Sequence, residues 1–404
     1  MSQILDNHEN IQNDKSVIMN IFTNYLESKY RTINSEIIIY KKMTACGMPQ
    51  ISAEANTELE IPITMEELRT AINKGKCRKT TGPDGICHEY YKQMWNCCKE
   101  DLLDVINNMF IDGPVTNDKK HGNIVCLPKA CNPVSPVNYR PLTILNTDYK
   151  LHTRIFAYRL LPWMEDMLNP KQYCGRNGKS IFDAVAPVRD IIAYAETTDS
   201  FLCLLSIEFS DAFDKISHTF LFKILQEYGI SEIFCQGLRN IYADATSTLV
   251  LNGHKSKPIK IQSGVRQGCP LSMMLFAACI NPLLITLDKR LQGVKVSHPS
   301  TKTTAKAYAD DITIVLRHEE IDEVRGILND YMNASGANIN EYKSCALALG
   351  TWPKSAPIMN IRYTENIKIL GFQMNDNCQH SAEMSWTTPT SKIRAQSMEN
   401  YHRH

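Results

Sequence analysis

Two adjacent carboxylates, Asp310 and Asp311, stand inside the stretch KAYADDITIVL, Lys306–Leu316, among residues suited to strands. Asp is among the poorest strand formers, whereas Ile312, Ile314 and Val315 are among the best. Two like charges side by side in a half-buried setting repel and resist desolvation. Exposed Asp pairs in turns are common and inert, so the pair alone decides nothing. Its flanks favour chemistry, because two-residue hairpin turns prefer Asn-Gly or Asp-Gly to Asp-Asp. A divalent cation would neutralise the pair. Such hard oxygen ligands suit Mg2+, which keeps several waters and takes one or two carboxylates plus substrate phosphates. Two-metal phosphoryl transfer needs a further acid from a separate strand. The stretch LLSIEFSDAFDK, Leu204–Lys215, offers Glu208, Asp211 and Asp214. Strand alternation sets Ile207 and Phe209 on one face and Glu208 on the other. Asp211 is expected to project from a turn beyond the strand.

Acids placed this way need a sheet and covering helices. Phe201–Phe209 is a continuous apolar run of the kind buried on both sides. KAYADDITIVL reads as two strands joined through the acid pair. Strands are also expected over Asn338–Leu349 and Tyr363–Met374, with an amphipathic helix over Glu319–Ala334. Upstream, a helix is expected over Ser16–Ser28. Thr64 and Glu67 form a capping box that opens a second helix. Gly82-Pro83-Asp84-Gly85 is a turn, with helices following near 88–110. Asn123–Lys129 is a short strand, and Asn138–Pro141 opens another extended piece. Asn146 is the expected cap of a helix reaching Met167, with Lys150 and Arg154 on one basic face. Ser180 caps a helix to about Ala195, which Pro187 should kink or restart. Ser217 caps a helix ending at Gly229. The Asn252-Gly253 pair marks a hairpin, and Pro270 sits near the start of a long apolar helix. This alternation of strands and helices is an α+β arrangement, a sheet layered by helices.

Bulk composition is ordinary for a globular protein of 404 residues, and the formal net charge of +1 gives no global case for a polyanionic partner. The case is local. Residues 118–179 hold ten Lys or Arg against four acids, a balance of +6. The fourteen cysteines include no CxxC pair, so a zinc ribbon is not supported. The first residues carry no signal-peptide pattern, and no apolar run reads as a membrane span. The expectation is an intracellular protein, nuclear or cytoplasmic, with reduced thiols and no membrane partner.

Five ordered blocks then carry a resemblance: TGPDGI (81–86), NYRPLTILNTDYKL (138–151), SIEFSDAFDKI (206–216), GVRQGCPLS (264–272) and AYADD (307–311). Weaker matches are GRNGKSIFDAV (175–185), ANINEYKS (337–344) and IKILGF (367–372). One block alone is weak, but eight in order and at family spacing are highly specific. From about residue 60 to about 375 the chain resembles the reverse transcriptase domain of a non-LTR, LINE-type retrotransposon.

The resemblance implies a right-hand polymerase with fingers, palm and a truncated thumb. It implies an N-terminal extension over 1–60, fingers over 61–200 and palm over 201–350. A primer-grip hairpin would span 351–375, and an incomplete thumb or tail 376–404. By the same resemblance Glu208, Asp310 and Asp311 hold two Mg2+ ions, with Mn2+ as a substitute. Tyr308 packs near the primer end, or is strand core. Phe213 lies under the incoming sugar and excludes a 2′-hydroxyl, or is core. Gln267 contacts the incoming nucleotide and template. Lys129 and Arg140 grip the triphosphate, Arg by a bidentate hold; without the resemblance both read as solvated surface. Lys343 protonates the leaving pyrophosphate, or is an exposed lysine. Substrates would be deoxynucleoside triphosphates, an RNA template and a DNA primer, with the basic segment lining the template channel.

The sequence departs from the pattern at Glu208, where the family has Asp. The longer side chain carries its carboxylate about 1.5 Å further, and a misplacement of about 1 Å can cost roughly a hundredfold in rate. No endonuclease segment is recognisable, so chromosomal priming would need a nuclease in trans. The expected function is RNA-directed DNA polymerase activity, weakened by Glu208. The alternatives are an inactive nucleic-acid-binding remnant and a domesticated or pseudogene copy.

Overall fold

The computed structural model describes residues 3–5, 10–32, 37–111, 115–129, 132–176, 178–198, 200–296, 302–353, 358–377, 379 and 381. Most of the expected tail, 382–404, therefore lies outside the described residues. The chain forms two compact units that cut across the segments expected from sequence. One comprises Met1–Ser35, Pro49–Met167 and Phe213–Phe276. The other comprises Glu36–Met48, Leu168–Ala212 and Ala277–His404.

In the first unit, four strands lie in the order Tyr139–Leu145, Gly122–Pro128, Thr246–Leu251, His254–Lys260. The last two form the expected hairpin. Asn252 and Gly253 at its tip both take positive φ, +50° and +81°, as a type I′ turn requires. Helix Lys15–Lys29 begins where the Asp14 side chain accepts from the Ser16 and Val17 N–H groups. Its Ile18, Phe22 and Leu26 recur every four residues, so one face is apolar. That face packs with Ile124, Tyr139, Leu249 and Ile259 of the sheet. The Thr64–Glu67 capping box opens helix Met65–Asn73 as expected. The 88–110 region resolves into His88–Gln93 and Trp95–Ile111.

Asn146 does more than open helix Thr147–Met167. Its backbone carbonyl accepts from Lys150 N–H in the first turn. Its side chain instead bridges outward, with Oδ1 accepting from Asp84 N–H and Nδ2 donating to the Asp118 carbonyl. Gly82 makes this possible, since a Cβ there would sit 2.2 Å from Asn146 Oδ1.

In the second unit, the main sheet runs Arg362–Tyr363, Cys345–Leu349, Leu202–Ser210, Asp311–Arg317, Ala305–Tyr308, and Asn338–Ile339 also pairs with Leu202–Ser210. The central strand obeys the expected alternation. Leu202 and Leu204 pack against Val188, Ile191 and Ile192 of helix Ile181–Thr198. Phe209, on the other face, meets Tyr331 of helix Ile321–Ser335 with ring centroids 5.6 Å apart.

Three expectations are corrected here. Pro187 does not restart its helix, which is assigned continuously through it to Thr198. Asn338–Leu349 is two strands rather than one, because the chain turns between them: Lys343 N–H donates to both the Asn340 carbonyl and its Oδ1. Tyr363–Met374 is likewise not one strand. It holds the short Arg362–Tyr363 and then a hairpin, Asn366–Ile369 with Phe372–Asn375, turned at Leu370 and Gly371 with φ +51° and +97°. Among the described residues one helix, Ser272–Arg290, is long and apolar enough to cross a membrane by length and composition, and 72% of its apolar window is buried inside the protein.

Candidate active site

The acids converge on one sheet end in the second unit. Strands Leu202–Ser210 and Asp311–Arg317 pair antiparallel with Glu208 directly opposite Asp311. Directly paired residues project from the same face, with Cβ atoms about 4.5–5.5 Å apart. The next strand pairs Tyr308 with Asp311 and leaves Ala309 and Asp310 as a two-residue turn. The turn is thus not an Asp-Asp turn: Asp310 sits in it, and Asp311 begins the strand. Ala309 takes φ +57°, a left-handed conformation that costs a side-chain-bearing residue about 1–2 kcal/mol. Neighbours hold it there. The Gln172 carboxamide oxygen accepts from Ala309 N–H and from Cys174 N–H, both at 3.1 Å. Gln172 is fully buried, and its own segment hydrogen-bonds along the strand that enters the turn. Asp211 follows the central strand in a turn, at φ +51°, as expected.

The electrostatics follow from this crowding. Desolvation first, then the Asp310 and Glu208 charges, raise Asp311 to about 6, while Lys343 pulls it down. The Asp311 side chain remains exposed, so the shift is a statement about proton affinity, not about fold stability. Lys343 forms an ion pair with the Glu208 carboxylate. The backbone at Glu208 is fixed on both sides, its N–H donating to Ser344 Oγ and its carbonyl accepting from Asn340 N–H. The turn that broke the expected strand is therefore what carries Lys343 to Glu208. Tyr308 contacts Cys174, and burial raises its phenol. Two residues upstream, burial lowers Lys306 to about 8, and its ammonium donates to the Tyr173 hydroxyl at 2.7 Å.

These carboxylates have the donor chemistry of a divalent-ion site: hard oxygens whose mutual repulsion, felt at Asp311, a cation would relieve. Among the described residues no three Asp, Glu, His or Cys groups are already gathered around one point. Glu208, Asp310 and Asp311 are thus neighbours on one strand end, with Glu208 drawn to Lys343.

The remaining expected residues lie in the first unit. Phe213 stacks on Phe276, with centroids 4.3 Å apart and planes at 20°. The Gln267 amide donates to Asp214 Oδ2 at 3.1 Å. Gly264 and Gly268 take φ +79° and +110°; a Cβ on either would strike backbone, at Asp214 or Thr143. Arg140 is exposed on the first strand of the sheet, opposite Leu127. Lys129 is exposed at the end of the adjoining strand, where its ammonium reaches the Val137 carbonyl.

Sequence reasoning missed a basic cleft in this unit. A cavity of about 340 Å3 is lined by Lys74, Lys76, Lys79, Thr80, His88, Thr147, Lys150 and Arg154. Burial and the Arg154 charge lower Lys150, and burial lowers Arg154. Arg154 is anchored by a hydrogen bond to the Ala71 carbonyl, and Lys74 lies 4.9 Å from the Tyr158 ring centroid. The Lys150–Arg154 face was visible in the sequence. So was the run KGKCRK, 74–79, but nothing showed that the two meet. Gln172 had no such signal.

Comparison with known proteins places the chain in a family. The family described as "Reverse transcriptase (RNA-dependent DNA polymerase)" matches residues 119–374, more than half of the chain. A Xenopus laevis transposon TX1 uncharacterised 149 kDa protein is 32% identical over 306 residues, 76% of this chain and 23% of that protein. A Pol polyprotein from the Drosophila melanogaster retrotransposable element R2DM is 24% identical, covering 84% of this chain and 33% of its own. A probable RNA-directed DNA polymerase from Drosophila melanogaster transposon BS is 23% identical, covering 79% and 34%. The chain thus spans about a quarter to a third of these relatives. Among solved structures, a Candida albicans telomerase in complex with a telomeric RNA fragment aligns with a TM-score of 0.42 at 13% identity, over 72% of this chain and 49% of that one. That likeness is too slight to carry an argument.

Proposed function

We propose a function from one premise: the chain belongs to the reverse transcriptase (RNA-dependent DNA polymerase) family. The activity proposed is RNA-directed DNA synthesis of the non-LTR retrotransposon kind, adding deoxynucleotides to a DNA primer 3′-end on an RNA template. The observation that supports it most is the pairing of Glu208 with Asp311 beside the turn that holds Asp310.

In this reading Glu208, Asp310 and Asp311 hold two Mg2+ ions, or Mn2+ in their place. When bound, such ions supply Lewis-acid activation of the attacking hydroxyl and charge neutralisation at the triphosphate. The chain does the positioning. Gln172 fixes the turn that presents Asp310. Ser344 and Asn340 fix the backbone at Glu208. Lys343 balances Glu208 and has an ammonium proton to give to the leaving pyrophosphate. Tyr308 packs at the primer end. In the first unit, Lys129 and Arg140 offer cations to the triphosphate, Phe213 limits space at the sugar 2′ position, and Gln267 meets the nucleotide. The five cations of the basic cleft suit successive template phosphates. Twelve free thiols among the described residues suit an intracellular setting, nuclear or cytoplasmic. Insertion into a chromosome would use an endonuclease, supplied in trans if not by the same polypeptide.

The test is addition of complementary deoxynucleotides to a DNA primer annealed to RNA, with Mg2+ and with chelator. No template-directed addition under Mg2+ or Mn2+ would refute the proposal.

A further inference from the structure

The first unit contains a buried ion pair that none of the roles above uses. Lys29, in the last turn of helix Lys15–Lys29, reaches Asp214 with its ammonium 3.0 Å from Oδ2. The two side chains are 2% and 3% exposed. The same Oδ2 accepts the Gln267 amide at 3.1 Å. A buried charge pair is weak grounds for stability, since desolvation offsets most of the attraction. A role in specifying geometry explains it better.

The geometry is tightly held. The apolar face of the helix is part of the sheet core through Ile18, Phe22 and Leu26. The carbonyl of Tyr30, its C-cap, accepts from Gln262 N–H at 2.9 Å, where the segment carrying Gln267 begins. That segment is tied to the Asp214 region three times: Ser263 Oγ to the Asp214 carbonyl, Gly264 N–H to Ile216, and Val265 N–H to Phe213. The Gln267 carbonyl accepts from Thr143 N–H at 3.0 Å. The backbone of Gln267 is fixed, leaving its side-chain torsions and the sense of its amide.

We propose that Lys29 is a positioning residue for nucleotide recognition, acting through Asp214 on Gln267. An ionised Asp214 accepts only, so the amide nitrogen of Gln267 must face it and the amide oxygen must face away. Lys29 keeps Asp214 ionised and holds its carboxylate in one place. The nucleotide then meets a preset acceptor. This inference rests on Gln267 contacting the nucleotide.

The test is equilibrium binding, independent of turnover. The full chain is assembled with an RNA template and a dideoxy-terminated DNA primer, and the next complementary dNTP is titrated. Lys29→Met should weaken dNTP binding about tenfold with template–primer affinity unchanged, and Lys29→Arg should stay within about twofold. Because Lys29→Met strands a buried carboxylate, the decisive variant is Lys29→Met/Asp214→Asn, which leaves no unpaired charge. Asn offers a donor and an acceptor and cannot dictate the amide sense. This variant should melt like the parent yet keep the weakened dNTP binding. Parental dNTP affinity in it would overturn the relay. Gln267→Met separates the two layers. If Gln267→Met weakens binding and the double variant does not, only the relay fails. If Gln267→Met binds like the parent, the nucleotide role of Gln267 fails and the relay with it.

Discussion

At the scale of single residues, the proposed chemistry turns on where one carboxylate ends. Glu208 is anchored through its backbone to Ser344 and Asn340, so its extra methylene cannot be absorbed by sliding the strand. The reach is taken up by Lys343. Glu208→Asp should withdraw the carboxylate from Lys343 and return it beside Asp311. Primer extension in Mg2+ should then rise by about ten- to a hundredfold; equal rates would reject side-chain reach as the limit. The acids themselves were legible, because two Asp in a strand-like run demand a cause and alternation fixed the face of Glu208. Which of them occupied the turn was not, because backbone sign is invisible in sequence: Ala309, not an Asp-Asp pair, takes the left-handed step. Lys29 was illegible for another reason. A lysine in the last turn of a helix is ordinary, and only the fold buries it.

At the scale of elements, periodicity located the central strand, the capping box and the Asn-Gly hairpin. It failed where tertiary contacts outbid local pattern. Pro187 sits within a helix held by its apolar face on the sheet, and the expected strand 338–349 breaks at the Asn340–Lys343 turn. Helix Thr147–Met167 carries a testable consequence. His152 on it is fully buried, packs edge-on to Phe156 at 4.5 Å, and neither ring nitrogen has a partner among the described residues. Burial, then the Lys119 and Arg159 charges, lower it to about 3. Above pH 6.5 the ring is neutral in both states. Below that the unfolded chain binds a proton that the folded chain refuses, so stability falls between about 6.5 and about 3. The slope is roughly 1.4 kcal/mol per pH unit for this group. His152→Leu should flatten that part of the stability–pH curve from urea unfolding, and an unchanged slope would exclude His152 as the source.

At the scale of the whole molecule, the α+β class and the ordered blocks were readable, whereas the division into two units was not. Each unit is assembled from separate stretches of chain, which only long-range packing defines. Charge shows the same limit. A net charge of +1 conceals a cleft walled by five cations drawn from 74–79 and 150–154. Single-stranded RNA binding should weaken linearly in log–log plots against salt, by about 0.7 in slope per phosphate contact. Lys79→Gln and Lys150→Gln should each weaken binding alike across sequences and reduce that slope; an unaltered slope would remove the cleft from the RNA path.

The central claim is that the acids at the end of strands Leu202–Ser210 and Asp311–Arg317 carry metal-dependent nucleotidyl transfer. It is tested most directly by single-nucleotide addition to a DNA primer on RNA in Mg2+, comparing the parent and Glu208→Asp with the same chains carrying Asp310→Asn. The expected result is complementary addition that Asp310→Asn reduces at least about a hundredfold. Addition that persists in Asp310→Asn, or that neither Glu208 nor Asp at that position supports, would contradict it.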